Sequence, residues 1–392
     1  VSHLADPFIY CKIVVVRLTM ENLLNYAHLR RDIDFSVCPF NEVDMLVCAD
    51  LSYVDWDGIV DKEEVSLEKA CRKYLSLYSA EELKSKYTFS MNLPHLIDAL
   101  QDTIRYGSIK LKNYKKIYSD EDVIQFSVVT LVLPDGSLVL SFSGTDGSIT
   151  GWKENLMMTY KSNLPCQKLA KDYVKETIEN IPETSYLFGL KKKKVYPKIY
   201  LTGHSKGGNL AMYAFLKNPE LQRYIEGVKS FDGPGFVDGF WQGDEDVSKI
   251  TNYIPKDSIV GRVLHHREQT KVMDAQGSGL VQHDTLMWSV DVKDFNYCDS
   301  LTKESDDMLE YVNKLLLNRS IEVKERYCHL IGELFDRMKI RTIADLTEFS
   351  FKQALSGIKE IRQLNAEEIK FMLEVVKFIA VQSAPILVKG RK

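Results

Sequence analysis

The sequence lacks the motifs that would indicate a metal- or nucleotide-dependent protein. It has no His-Glu-x-x-His pair, no EF-hand pattern and no Gly-x-x-x-x-Gly-Lys-Ser/Thr phosphate loop. Its seven cysteines are scattered, and no Cys-x-x-Cys pair points to a zinc site. We therefore expect reduced thiols, a cytoplasmic location, no metal ion and no other cofactor.

The sequence also lacks an excess of positive charge and a long uncharged apolar run. With a formal net charge of −4 it has no overall attraction for polyphosphates, so we expect no nucleic acid partner. The most apolar stretch near the C-terminus, Phe371 to Val388, is interrupted by Glu374, Lys377, Gln382 and Pro385, whereas a membrane span needs about 20 mostly apolar residues. We expect a packed amphipathic helix there and no transmembrane segment. Transient contact with a membrane surface stays open, and nothing indicates an oligomeric state.

The 392 residues, 45% of them hydrophobic and 27% charged, are enough for one large core and an appended element. We assign no role to residues 1–19, whose short apolar patch does not resemble a signal peptide. Residues 20–300 form the predicted main domain, which begins with a helical segment up to about residue 105. Residues 301–392 read as helices separated by short polar links.

Alternating strand and helix patterns predict an α/β fold with a mostly parallel central sheet flanked by helices. Two β-branched runs around Pro134-Asp135-Gly136 predict a β-hairpin. Helical periodicity extends from Trp152 to Asn180, and the Lys191–Lys194 run reads as an exposed loop. Further predicted strands are 198–202, 228–231, 250–254 and 270–273.

The strongest chemical signal is Gly203-His204-Ser205-Lys206-Gly207, which lies between a predicted strand and a predicted helix. A sharp strand-to-helix turn exposes a nucleophile, and glycines two residues before and after the serine leave room for it. Ser205 is therefore the predicted nucleophile. The Lys206 backbone N–H, at the helix start, is a predicted oxyanion donor.

A serine hydroxyl needs a base, and four histidines follow Ser205. His265 and His266 follow the run Ile259–Leu264, which is predicted as strand and helix, and they fit a solvated surface. His329 lies inside a predicted helix. His283 lies in a glycine-containing loop beyond the last predicted strand, where the chain order serine, acid, histidine places the base. We predict His283 as the base.

The acid should follow a strand between Ser205 and His283. Asp257, in the loop after the predicted strand 250–254, is the first choice. Asp232, at the end of the preceding strand, is the alternative. Thr145, in Ser143-Gly144-Thr145-Asp146, is the candidate for the second oxyanion donor.

Two of these segments resemble class 3 (fungal-type) lipases. Ser143-Gly144-Thr145-Asp146 followed by Trp152 is similar to their Arg-Gly-Thr/Ser-Asp…Trp segment, and residues 203–211 are similar to their Gly-His-Ser-Leu-Gly-Gly-Ala elbow. A closer resemblance is to a bacterial lipase-like family, a domain of unknown function. It also includes Asn41-Glu42-Val43-Asp44, Leu51-Ser52-Tyr53, Ser258-Ile259-Val260-Gly261 and Gln282-His283-Asp284.

The resemblance covers roughly residues 20–290. It implies the α/β-hydrolase fold and an esterase or lipase-like mechanism with Ser205 as nucleophile, His283 as base and Thr145 near the oxyanion. The sequence departs from the lipases at two positions: their Arg before Gly-Thr is Ser143, and their acid motif Asp-x-Val aligns with Ser258-Ile259-Val260.

The expected function is serine hydrolysis of a small-molecule or lipid ester through a Ser-His-Asp triad and an acyl-enzyme. Residues 147–194, between the oxyanion loop and the nucleophile, form a hypothetical lid. A peptidase and a thioesterase are alternatives within hydrolases. A non-catalytic binding or signalling protein on the same scaffold is the alternative from another class, because a fold does not fix a function.

Overall fold

The computed structural model describes residues 22–79, 81–83, 93–186, 191–342, 345, 351–361 and 363–389. Residues 1–19 and Cys11 lie outside this part of the chain. An eight-stranded sheet runs in the order β1-β2-β3-β4-β7-β8-β9-β10, and β5 and β6 form a separate hairpin. The strands are β1 (Val65–Ser66), β2 (Lys110–Ser119), β3 (Ile124–Val132), β4 (Leu138–Phe142), β5 (Glu183–Tyr186), β6 (Lys191–Lys194), β7 (Ile199–His204), β8 (Ile225–Phe231), β9 (Ile250–Pro255) and β10 (Gln269–Met273).

The sheet has an antiparallel half and a parallel half. Strands β1 to β4 pair antiparallel, and β4, β7, β8, β9 and β10 pair parallel. The predicted hairpin, β3 and β4, and the predicted parallel strands are confirmed. The parallel half fixes where a site can form, because the carboxyl ends of β4, β7, β8 and β9 meet at one edge.

Helices cover both faces of the sheet. The described helices are α1 (Leu23–Arg30), α2 (Glu42–Leu51), α3 (Leu67–Ser76), α4 (Leu93–Gln101), α5 (Ile104–Gly107), α6 (Ile149–Met157), α7 (Pro165–Glu179), α8 (Lys206–Leu216), α9 (Lys303–Val312), α10 (Ile321–Arg337), α11 (Phe351–Glu360) and α12 (Ala366–Lys389). Along β4, Leu140 and Phe142 pack with α7 and α8, whereas Val139 packs with the N-terminal helices. This alternation, which follows from the two-residue period of a strand, gives an α/β fold with two apolar layers.

The N-terminal helical segment is held together by a buried ion pair between Asp44 and Arg105, whose side chains are both inaccessible to solvent. The hydroxyls of Tyr26 and Tyr106 donate to Asp44 at 3.2 and 2.8 Å. The Asp44 carboxylate also accepts the Asn41 backbone N–H, which completes a capping box at the start of α2. These hydrogen bonds tie the start of α2 to α1 and α5.

Three sequence predictions of secondary structure are corrected. The Lys191–Lys194 run is a strand paired with β5, not a loop. The helix predicted from Trp152 to Asn180 is two helices, and α7 begins at Pro165, because proline is favoured at a first helical position and disfavoured inside a helix. The run Ile259–Leu264, taken as strand and helix, contains only the short 3-10 helix Val260–Arg262.

The C-terminal helices pack against α6. Leu330, Leu334 and Phe371 form an apolar cluster with Ile149 of α6, and Trp152 packs against it. A backbone hydrogen bond from Ile149 N to Arg341 O adds to this contact. Phe371 and Met372 at the start of the apolar stretch are buried, as predicted for a packed helix. Within the described residues, no helix has the length and hydropathy needed to cross a membrane.

Candidate active site

Ser205 occupies a strained turn between β7 and α8. Its backbone has φ 56° and ψ −129°, a conformation that non-glycine residues rarely adopt. A Cβ added at Gly207 would clash with the Phe142 carbonyl oxygen, and a Cβ added at Gly203 would clash with the backbone of Gly207. The Ser205 N–H donates to Phe231 O at 2.8 Å. The two glycines therefore permit this turn at the carboxyl edge of the sheet, as the sequence pattern predicts.

His283 lies at the end of a short 3-10 turn, Gly279–His283, beyond β10. Its Nδ1 lies 2.5 Å from Asp232 Oδ2, and its ring centroid lies 4.5 Å from that of His204, the neighbour of Ser205. Nε2 is thereby left for proton exchange. Within the described residues no hydrogen bond joins Ser205 Oγ to His283, and in many hydrolases without substrate this bond is long.

Asp232 follows β8 directly, with a positive φ of 51°, and its side chain is buried. Besides His283, it accepts the Ser258 hydroxyl at 2.5 Å and the Gly261 N–H at 3.0 Å, both on Oδ1. Ser258, which the sequence resemblance aligns with the acid motif of class 3 lipases, thus contacts the carboxylate that contacts His283.

The side chain of Asp257, the first choice for the acid, contacts residues other than His283. Its Oδ1 accepts the Thr302 hydroxyl at 2.7 Å. Its Oδ2 accepts the Gly279 N–H at 3.2 Å and the Gln282 amide at 3.1 Å. Asp257 therefore links the His283 turn to the start of α9, and the alternative, Asp232, is the carboxylate that contacts the His283 ring.

Thr145 and Lys206, the two predicted oxyanion donors, lie in two different segments. Lys206 is the first residue of α8. Thr145, in the loop after β4, exchanges hydrogen bonds with Asn155 of α6, at 2.9 Å from Asn155 Nδ2 and 3.2 Å to Asn155 Oδ1. The hydroxyl of Thr145 is thus held by α6.

The side chain of Lys206 is a feature that the sequence analysis missed. It is 1% exposed, and its Nζ donates to Gln125 O at 2.6 Å, Gln125 Oε1 at 2.5 Å and Glu154 Oε2 at 2.5 Å. Glu154 lies on α6 and is fully buried. No sequence motif predicts this cluster, because Gln125, Glu154 and Lys206 lie far apart along the chain.

Tyr53 is a second missed residue. Its hydroxyl lies 2.8 Å from His204 Nδ1, and a Cβ at Gly144 would collide with it. Burial, with Asp50 and Asp284 adding to it, raises the pKa of Tyr53 well above its ordinary value, and burial lowers that of His204. Both groups are therefore neutral at pH 7. The sequence did give one indication of Tyr53, because Leu51-Ser52-Tyr53 is among the segments that resemble the bacterial lipase-like family.

The remaining candidates lie away from this centre. His265 Nε2 pairs with the exposed Asp238 at 2.6 Å, His266 Nδ1 with Glu268 at 2.5 Å, and His329 is exposed on α10. In the described part of the chain, no group of three or more His, Cys, Asp or Glu side chains is arranged to hold a metal ion.

A family model describes the segment that carries this geometry. The model of the Mbeg1-like family matches residues 100–336, more than half of the chain. The chain belongs to the Mbeg1-like family. No curated protein matches its sequence.

Several solved lipases are similar to this Mbeg1-like chain. Lipase II from Rhizopus niveus is 13% identical, with 64% of this chain and 93% of that chain covered and a TM-score of 0.32. A lipase from Rhizopus microsporus var. chinensis is 12% identical, with 63% and 85% covered and a TM-score of 0.32. The Rhizomucor miehei lipase propeptide complex is 11% identical, with 65% and 78% covered and a TM-score of 0.31. At such identities and TM-scores, these similarities carry no information on activity.

Proposed function

We propose that this Mbeg1-like chain is a serine hydrolase that cleaves a carboxylic ester through Ser205, His283 and Asp232. The observation that carries the proposal is the 2.5 Å contact between His283 Nδ1 and Asp232 Oδ2, beside a serine held in a strained turn. A carboxylate at Nδ1 fixes the tautomer in which Nε2 can accept a proton.

The residues then act in a defined order. Ser205 Oγ attacks the ester carbonyl while His283 Nε2 takes its proton, and the Lys206 and Thr145 backbone N–H groups stabilise the oxyanion. His283 returns the proton to the departing alkoxide, which leaves an acyl group on Ser205. Water, deprotonated by His283, then hydrolyses the acyl-enzyme and regenerates the serine.

The substrate class proposed is a small-molecule or lipid ester. The resemblance to class 3 lipases motivates it. Within residues 147–194, the hypothetical lid, α7 is part of the core, with Ala170, Tyr173 and Val174 buried among residues of the sheet and α8. The lid hypothesis therefore does not include α7.

A fluorophosphonate probe tests the proposal, because it reacts only with an activated serine. We expect labelling of the wild-type chain and none of Ser205→Ala. Asp232→Asn should label far more slowly. If the folded wild-type chain is not labelled, the non-catalytic alternative is favoured. If it is labelled, a series of p-nitrophenyl esters of increasing acyl chain length defines the acyl preference.

A further inference from the structure

A buried ammonium group lies directly behind the nucleophile turn. Lys206 Nζ has three N–H donors, and the three acceptors within 2.6 Å, two on Gln125 and one on Glu154, match them in number. The Glu154 side chain is fully buried and the Lys206 side chain is 1% exposed. The charged pair is therefore fully sequestered from water.

A gain in stability does not by itself explain why the ion pair between Lys206 and Glu154 is buried here. Removing two charges from water costs about as much as their attraction returns, and apolar residues of similar size are often equally stable.

The pair connects the two segments that carry the proposed oxyanion donors. Gln125, which accepts from Lys206, donates from Nε2 to Gly144 O at 3.3 Å, next to Thr145. Glu154, the other partner, precedes Asn155, which holds the Thr145 hydroxyl. Gly151 of α6 permits this approach, because a Cβ there would lie 2.8 Å from Thr145 Cγ2.

We propose that Lys206, Gln125 and Glu154 form a positioning cluster that sets the separation of the two oxyanion donors. The inference rests on the proposed function. Lys206 then has two roles: its backbone N–H binds the oxyanion, and its side chain fixes the opposite loop through Gln125 and α6. Helix α6 is in consequence a fixed wall of the site and not a moving lid.

The double variant Lys206→Met/Glu154→Leu tests the cluster. It removes both charges, leaves no unpaired buried ion, and keeps the backbone N–H of residue 206. We expect a thermal midpoint close to that of wild type, a kcat for a p-nitrophenyl ester lowered about tenfold to a hundredfold, and a nearly unchanged KM. Affinity for a trifluoromethyl ketone, which forms an oxyanion on Ser205, should fall by the same factor as kcat.

Lys153→Ala is the matched control, because Lys153 is the neighbouring lysine on α6 and pairs with Asp336 at 3.1 Å on its outer side. This variant should retain wild-type kcat and ketone affinity. If the double variant does not fold, Gln125→Met replaces it, because this variant keeps the ion pair and removes the hydrogen bond to Gly144 O. It should lower kcat and ketone affinity and leave KM nearly unchanged.

Wild-type kcat and ketone affinity in the folded double variant, or in Gln125→Met, would overturn the inference. If instead the proposed function is wrong, the wild-type chain itself will show no esterase activity and no fluorophosphonate labelling. The two failures are therefore distinguishable in one set of measurements.

Discussion

Asp232 contacts His283, and Asp257 contacts the backbone and side chain of the turn that carries it. Both aspartates follow strands of the parallel half, so sequence order alone left them as alternatives. The side-chain direction, which depends on the positive φ of Asp232 and on the Ser258 hydroxyl, favours Asp232 as the proposed acid. The proposed nucleophile, Ser205, was named from a motif, and the proposed base, His283, from the chain order.

Asparagine substitutions separate the two carboxylates. We expect Asp232→Asn to lower kcat by about 10⁴-fold, because an amide at Nδ1 favours the wrong tautomer. Asp257→Asn keeps an oxygen that can accept hydrogen bonds, so kcat should fall by roughly tenfold or less. The measurement is the initial rate of p-nitrophenyl ester hydrolysis by each folded variant, and a larger loss in Asp257→Asn would contradict this assignment.

Asp50 gives a pH-dependent prediction. Burial raises its pKa well above the ordinary value, and the Asp284 charge adds to this rise while the Thr285 hydroxyl opposes it. The folded chain therefore keeps a proton that the unfolded chain releases at a pKa of about 4. Above that pH, up to the raised pKa, the free energy of unfolding falls by about 1.4 kcal/mol per pH unit from this group.

Asp50→Asn removes this penalty and keeps an oxygen for the Thr285 hydroxyl, which lies 2.8 to 2.9 Å from both Asp50 oxygens. The variant should gain stability over the wild type progressively as the pH rises from about 4 towards neutrality. Urea unfolding at several pH values measures the difference. A difference that stays constant with pH would contradict the prediction.

At the scale of elements, the buried strands were predicted well, whereas the lysine-rich strands β2 and β6 were not. β7, β8 and β9 are short buried runs, and burial on both faces of a parallel sheet requires such sequences. β2 and β6 are rich in lysine and are partly exposed, so their sequences resemble loops. Their strand conformation comes from pairing with β3 and β5, which local sequence does not report.

The turn between β7 and α8 has no room for a side chain at Gly207. We expect Gly207→Ala to lower the free energy of unfolding by about 3 kcal/mol or more, because the added Cβ meets backbone that cannot rotate away. Gly332→Ala, in α10, is the control: its added Cβ approaches only the flexible end of Lys153, at 3.4 Å.

The control should gain up to about 1 kcal/mol, because alanine favours the helix over glycine. Denaturant titration of both variants gives the comparison. Equal stabilities for the two variants would show that the nucleophile turn can relax.

At the scale of the whole molecule, the C-terminal helical segment contacts the rest of the chain at two places. The Thr302 hydroxyl bonds Asp257 and the Ser305 hydroxyl donates to Ser258 O. Further on, Leu330 packs with Ile149 of α6 in one cluster. The sequence predicted these helices but could not show whether they form a separate domain, because apolar periodicity does not name the surface that a helix covers.

Leu330→Ala tests whether these helices unfold with the rest. Leu330 is fully buried, so its truncation should lower the free energy of unfolding by about 2–5 kcal/mol. Tryptophan fluorescence and far-UV circular dichroism should shift together in one transition. Ile321→Ala, at a 59% exposed position of the same helix, should change stability by less than about 0.5 kcal/mol. Two separate transitions would show an independent domain.

The hydrogen bond from the Ser258 hydroxyl to Asp232 Oδ1 couples the ends of two neighbouring strands. The Gly261 N–H donates to the same oxygen, and the other oxygen contacts His283 Nδ1. Without the Ser258 hydroxyl, the Gly261 N–H alone would hold Oδ1, and the carboxylate would gain freedom to turn. The angle of the His283 ring is therefore set in part by a hydroxyl at the end of a different strand.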